Sequence, residues 1–118
     1  MNPLIAIGAA SYAGLGLASF LKPGLVPAVI GSTAPDADSR TEIRAVYGGL
    51  PLAFAATLAA SPSSGTSIGL ATLGMAAGRA ASALFEGAPS PKMGGFIVLE
   101  TLVGGALLVG ARRSARAT

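Results

Sequence analysis

Four apolar stretches, residues 3–21, 40–60, 66–85 and 91–111, follow one another with only short breaks between them, and little else of the chain remains. Each is close to the roughly 20 residues that a helix needs to cross a bilayer. The expected fold is therefore all-α: a four-transmembrane-helix antiparallel bundle, one integral membrane domain over residues 1–118, with a basic tail at 112–118. Composition agrees, since 52% of the residues are hydrophobic and only 11% charged, far below the roughly 25% charge of an ordinary soluble domain. The first stretch could pass for a secretion signal, but no Lys or Arg precedes it and three more apolar stretches follow, so it is read as a spanning helix.

Punctuation marks the helix ends. Lys22-Pro23-Gly24 stops the first helix and Ser61-Pro62 the second. Ser39 with Glu42 three residues later matches a capping box and places the second helix start near Arg40. Ser90 followed by Pro91 caps the fourth. Between the first two helices, residues 24–38 are apolar at first and polar afterwards, which predicts a partly apolar interfacial loop covering one end of the bundle. Pro51 removes the usual partner of the Tyr47 carbonyl and predicts a kink in the second helix.

Small residues predict close helix packing. Gly74 and Gly78 form a GxxxG pair in the third helix, Gly104 and Gly105 lie in the fourth, and Gly8 and Gly14 in the first. Such residues let helix backbones approach where lipid supplies no hydrophobic drive.

The charges exclude more than they assign. Cysteine, histidine and tryptophan are absent, which removes disulfides, thiolate and imidazole metal sites and Cys or His nucleophile systems; no metal site is expected. Arg112, Arg113 and Arg116 follow the last helix, a topology signal that puts the C-terminus, and with four spans the N-terminus, on the cytoplasmic side. A basic tail beside anionic lipid accounts for these arginines without nucleic acid.

Glu100 is the charge out of place, in the middle of the last apolar stretch. Arg79 lies seven residues before Glu86, and Glu100 eight after Lys92. At about 1.5 Å per residue, both then sit roughly 10 to 12 Å below the outer surface. Opposite charges at equal depth on adjacent antiparallel helices should pair. With Arg44, Tyr47 and Pro51 on one face of the second helix, and Thr72, Met75, Arg79, Ser82 and Glu86 in a stripe on the third, the expected cluster is Arg44, Tyr47, Arg79, Glu86 and Glu100. It is either an ion-pair network that fixes helix register or a site for a small polar molecule.

The segment Glu42-Ile43-Arg44-Ala45-Val46-Tyr47-Gly48-Gly49, the run from Gly78 and Arg79 to Ser82, the run from Phe85 to Pro89 and the acid Glu100 carry a family resemblance. The chain resembles a family of small bacterial four-helix membrane proteins catalogued as a domain of unknown function. That pattern has an Arg-Ala-x-Tyr-Gly-Gly start to helix two, a Gly-Arg-x-x-Ser segment in helix three and an acid in helix four. Where it carries Asp-Gly in the outer loop, this chain has Glu86-Gly87. The resemblance implies a bundle similar to DoxX-like proteins in a bacterial inner membrane, and no reaction.

Three functional classes follow. The first expectation is a structural or accessory subunit packed on a larger membrane assembly, such as a respiratory or light-harvesting complex, or self-associated. The alternative is a binder or carrier of a small molecule, quinone or lipid headgroup through the Arg/Tyr/Glu cluster. An enzyme ranks last, because no nucleophile is paired with a base. No cofactor is expected, although the bundle surface could hold a lipid, quinone or pigment.

Overall fold

The computed structural model describes residues 1–117. It is all-α, with four helical rods long and apolar enough to cross a membrane: Pro3–Leu21, Ala37–Ala60, Pro62–Glu86 and Pro91–Ala117.

The first rod is α1 (Pro3–Leu21), whose start is capped by Asn2, the side chain accepting from the Leu4 N–H at 2.8 Å. A short helix α2 (Leu25–Val29) follows, and the chain leaves it through Gly31, whose φ of 77° favours glycine. The linker expected to be a partly apolar loop thus holds a short helix in its apolar half.

The second rod comprises α3 (Ala37–Ile43), a π-helical turn (Arg44–Gly49) and α4 (Leu50–Ala60). It begins three residues earlier than the Ser39/Glu42 capping box predicts. Asp36 is the cap, accepting from the Ser39 N–H at 2.7 Å, so Ser39 occupies the first turn instead of preceding it. Hydrogen bonding to Ser39, through its side chain and then its backbone, holds the Asp36 carboxyl below its ordinary range. The turn before Pro51 widens, with the Leu50 N–H reaching the Ala45 carbonyl five residues back, which accommodates a residue that has no N–H to donate.

The third rod runs from a single turn at Pro62–Ser64 through α5 (Gly65–Ala81) into α6 (Ala83–Glu86). It ends at Gly87, again at positive φ (84°). The fourth, α7 (Pro91–Ala117), starts as predicted, the Ser90 hydroxyl accepting from the Met93 N–H. It continues past residue 111, so the basic tail is helical as far as Ala117. Ala and Arg are strong helix formers, no breaker follows Gly110, and cations near a helix C-terminus complement its dipole.

The rods assemble as two pairs. Helix α1 packs along the second rod, and α5 along α7; α1 and α7 join the pairs, while α4 and α5 barely touch beyond their connecting turn. The result is flattened, 32 Å wide but 17 Å thick across the long axis.

At the end carrying the termini the pairs close on a core of Ile5, Leu58, Ile68, Leu107 and Ala111. Glycine makes this possible. A Cβ on Gly69 would lie 2.9 Å from the Gly104 carbonyl oxygen, and one on Gly104 would lie 3.0 Å from that of Gly69, so α5 and α7 cross backbone to backbone. Gly16 and the π-turn residue Gly48 form a similar crossing between α1 and the second rod, a Cβ on Gly16 falling 2.8 Å from the Gly48 oxygen. Gly104 thus packs as expected. Within this chain Gly74, Gly78, Gly105 and Gly14 meet no other helix, since nothing lies within 4 Å of a Cβ built on any of them. A spacing pattern identifies a small-residue face but not the rotation of the helix that carries it.

Candidate functional site

Beyond Tyr12 the two pairs stand apart. The space between them, toward the loop end, is a cavity of about 470 Å³. Its floor is made by Tyr12 and Thr72, both buried, whose hydroxyls are hydrogen-bonded to one another. Because the Thr72 hydroxyl also donates to the Ile68 carbonyl at 2.8 Å, its single proton is used there. Tyr12 is therefore the donor of the pair. The Tyr12 ring stands edge-on to Phe54, centroids 5.2 Å apart.

One wall belongs to α5 and α7. Arg79 Nε donates to Glu100 Oε1 at 2.7 Å, with the side chains 31% and 13% exposed. The ion pair expected from the hairpin arithmetic is present, held by one contact rather than two. The guanidinium is turned elsewhere: Nη1 reaches the Met93 sulfur at 3.5 Å, and the group lies 5.4 Å from the centroid of the Phe96 ring. This leaves other guanidinium donors and Glu100 Oε2 available toward the cavity.

The facing wall is the second rod, with Val46, Tyr47, Leu50 and Pro51. The widened turn before Pro51 thus borders the cavity. Over the loop end lie α2, contributing Leu25, Val26 and Val29, and the residue after it, Ile30; the apolar half of the linker becomes a cover.

Of the five residues expected to cluster, Tyr47, Arg79 and Glu100 share this cavity. Glu86 is in a separate vestibule of about 500 Å³ at the loop end, which Arg79 also lines along with Ser82 and Ser90. Arg79 therefore stands between the two spaces. Arg44 is a correction: its Nε donates to the Phe20 carbonyl at 2.9 Å and its guanidinium lies 5.9 Å from the Phe20 ring. It satisfies an orphan carbonyl at the end of α1 and has no link to Glu100. Among the described residues, Arg79–Glu100 is the one salt bridge.

Sequence reasoning passes over Tyr12. The usable signal is a lone phenol in the middle of an apolar helix, since a buried Tyr hydroxyl needs a partner.

Residues 1–111 match the family described as a domain of unknown function, DUF4345. The chain belongs to this family. No curated protein and no solved structure matches it. In this DUF4345 member the matched region takes in the first three rods, the fourth as far as residue 111 and both halves of the ion pair, so the cavity lies wholly inside the family domain.

Proposed function

We propose that this membrane protein binds a small molecule in the cavity between its helix pairs. One observation carries the reading: an apolar space large enough for a small ligand holds a few convergent polar groups, Arg79, Glu100, Tyr47 and the Tyr12–Thr72 pair. An ion pair serving register alone needs no cavity beside it. No reaction is assigned, because among the described residues no nucleophile stands beside a base. The basic tail supports cytoplasmic termini, which would put the cavity in the outer half of the bilayer, and the family resemblance supports a bacterial inner membrane and a DoxX-like bundle.

The test is to purify the protein in mild detergent and identify small molecules that accompany it by mass spectrometry. One species near stoichiometry is expected, lost from Ala18→Phe, which fills the cavity from α1, and from a folded Glu100→Gln. Finding no such species, or finding it equally in Ala18→Phe, would end the binding reading.

An accessory role is a second reading, favoured by one observation. The Gly74 and Gly78 face of α5 meets nothing within the monomer, leaving small residues free for another helix. It requires a protein partner at stoichiometry in native membranes.

A further inference from the structure

We infer that the occupant of the cavity is an uncharged single-chain amphipath taken from the bilayer, its hydroxyl or carbonyl end at Arg79 and Glu100. This rests on the binding reading above and adds the ligand class and its route.

The route follows from which helices pack. Because the helix pairs stand apart beyond Tyr12, and α4 and α5 barely touch beyond their turn, the cavity is unsealed along the line between those two helices. That side faces lipid in a membrane. A ligand entering there comes from the hydrocarbon phase.

The class follows from charge. Arg79 and Glu100 are the formal charges at the cavity, and each is already neutralised by the other at 2.7 Å. An anionic headgroup would add a second negative charge beside Glu100, and a cation a second positive one beside Arg79, each without a new counter-ion in a space of low polarity. The pair nevertheless offers both kinds of hydrogen bond. Arg79 has five N–H groups, of which Nε and one on Nη1 are engaged, and Oε2 of Glu100 has no partner among the described residues. A hydroxyl uses both, a carbonyl the first.

The size follows from the volume. About 470 Å³ falls in the lower part of the roughly 300 to 1,000 Å³ range of small-molecule pockets. It suits one chain and excludes a whole two-chain phospholipid. Leu15, Leu50, Met75 and Leu99 give that chain an apolar lining on four sides.

The protein carries its own reporter. It has two tyrosines and no tryptophan, and both Tyr12 and Tyr47 line the cavity, so near-ultraviolet protein emission comes almost entirely from the site. The experiment titrates the protein in phospholipid vesicles, which add no fluorescent protein, with three terminally brominated undecyl chains: the alcohol, the sulfonate and the trimethylammonium, whose charges do not titrate. Bromine near a tyrosine quenches it. The expected result is saturable quenching by the alcohol at least about tenfold tighter than by either ion, lost in Ala18→Phe and in Val46→Phe, which fill the cavity from α1 and from the second rod. Tighter binding of the sulfonate or the trimethylammonium overturns the ligand class while leaving the binding reading intact. Equal quenching by all three also overturns it, since the headgroup is then not read. Alcohol quenching that persists in a folded filling variant places the chain outside the cavity and overturns the inference. No saturable quenching by any of the three removes the binding reading with it.

Discussion

The two ends of this bundle are built from the same few residue types and solve opposite problems. At the end carrying the termini, all four rods meet, and Ile5, Leu58 and Leu107 are fully buried. At the loop end, each pair of rods holds together separately, and the pairs stand apart around a cavity. The devices differ accordingly. Helix α1 meets the second rod through the Gly16/Gly48 crossing, whereas α5 and α7, past their own glycine crossing, are held by Arg79 and Glu100. Van der Waals closeness fixes helices that have nothing between them. A polar pair can hold two helices and still leave a wall with free hydrogen-bonding capacity.

The largest effect expected is at the closed end. In Gly69→Leu the new Cβ would be 2.9 Å from the Gly104 oxygen and 3.2 Å from Leu107 Cβ, and backbone cannot rotate out of the way as a side-chain tip can. Separating α5 from α7 there should cost about 3 kcal/mol. Unfolding in mixed micelles, followed by helical circular dichroism, measures it. A variant as stable as wild type would mean that the closed end is not where the stability resides.

Next comes the ion pair. Arg79→Met leaves the Glu100 carboxylate, 13% exposed, without its cation. The expected loss is about 2 kcal/mol, below the 3 to 5 of a fully enclosed pair because the cavity and vestibule admit some solvation. The double variant Arg79→Met/Glu100→Met should recover most of it. Hydrogen exchange should locate the Arg79→Met effect in the hairpin from Arg79 to Glu100, leaving the amides around Ile5 and Leu107 protected. Opening of both ends together would show that the two halves are one cooperative unit.

The contrast also marks what could be read from the residues. Spans, loop positions and the Arg79–Glu100 pair depend on segment length and on the constant rise of a helix, which any apolar segment of this kind obeys. Helix rotation does not follow from length. Glycine and alanine occur on every face of α5, so nothing local says that Gly69 rather than Gly74 or Gly78 meets α7; only the fit of the two surfaces, Leu73 over Gly104 and Leu107 over Gly69, decides it. Arg44 departs from its expected place for a related reason. Grouping Arg44, Tyr47 and Pro51 on one face assumes 3.6 residues per turn throughout, and the π-helical turn between them breaks that phase. The cavity is a gap between helices, and a gap leaves no residue pattern of its own.

The smallest effect is the most useful for separating the two functional readings. Gly78 lies beyond the floor of the cavity, in the open half, and a Cβ added to it would meet no atom within 4 Å. In the purified monomer Gly78→Ala should therefore lose nothing, and it should gain up to about 1 kcal/mol because alanine is the better helix former. The same methyl group on a face that meets another helix would hold the two backbones apart. A variant that is as stable as wild type in detergent but recovers less of a partner from native membranes would locate an interface on α5, outside the cavity. Unchanged recovery would leave Gly74 and Gly78 facing lipid, and the open half would then owe its shape to the cavity alone.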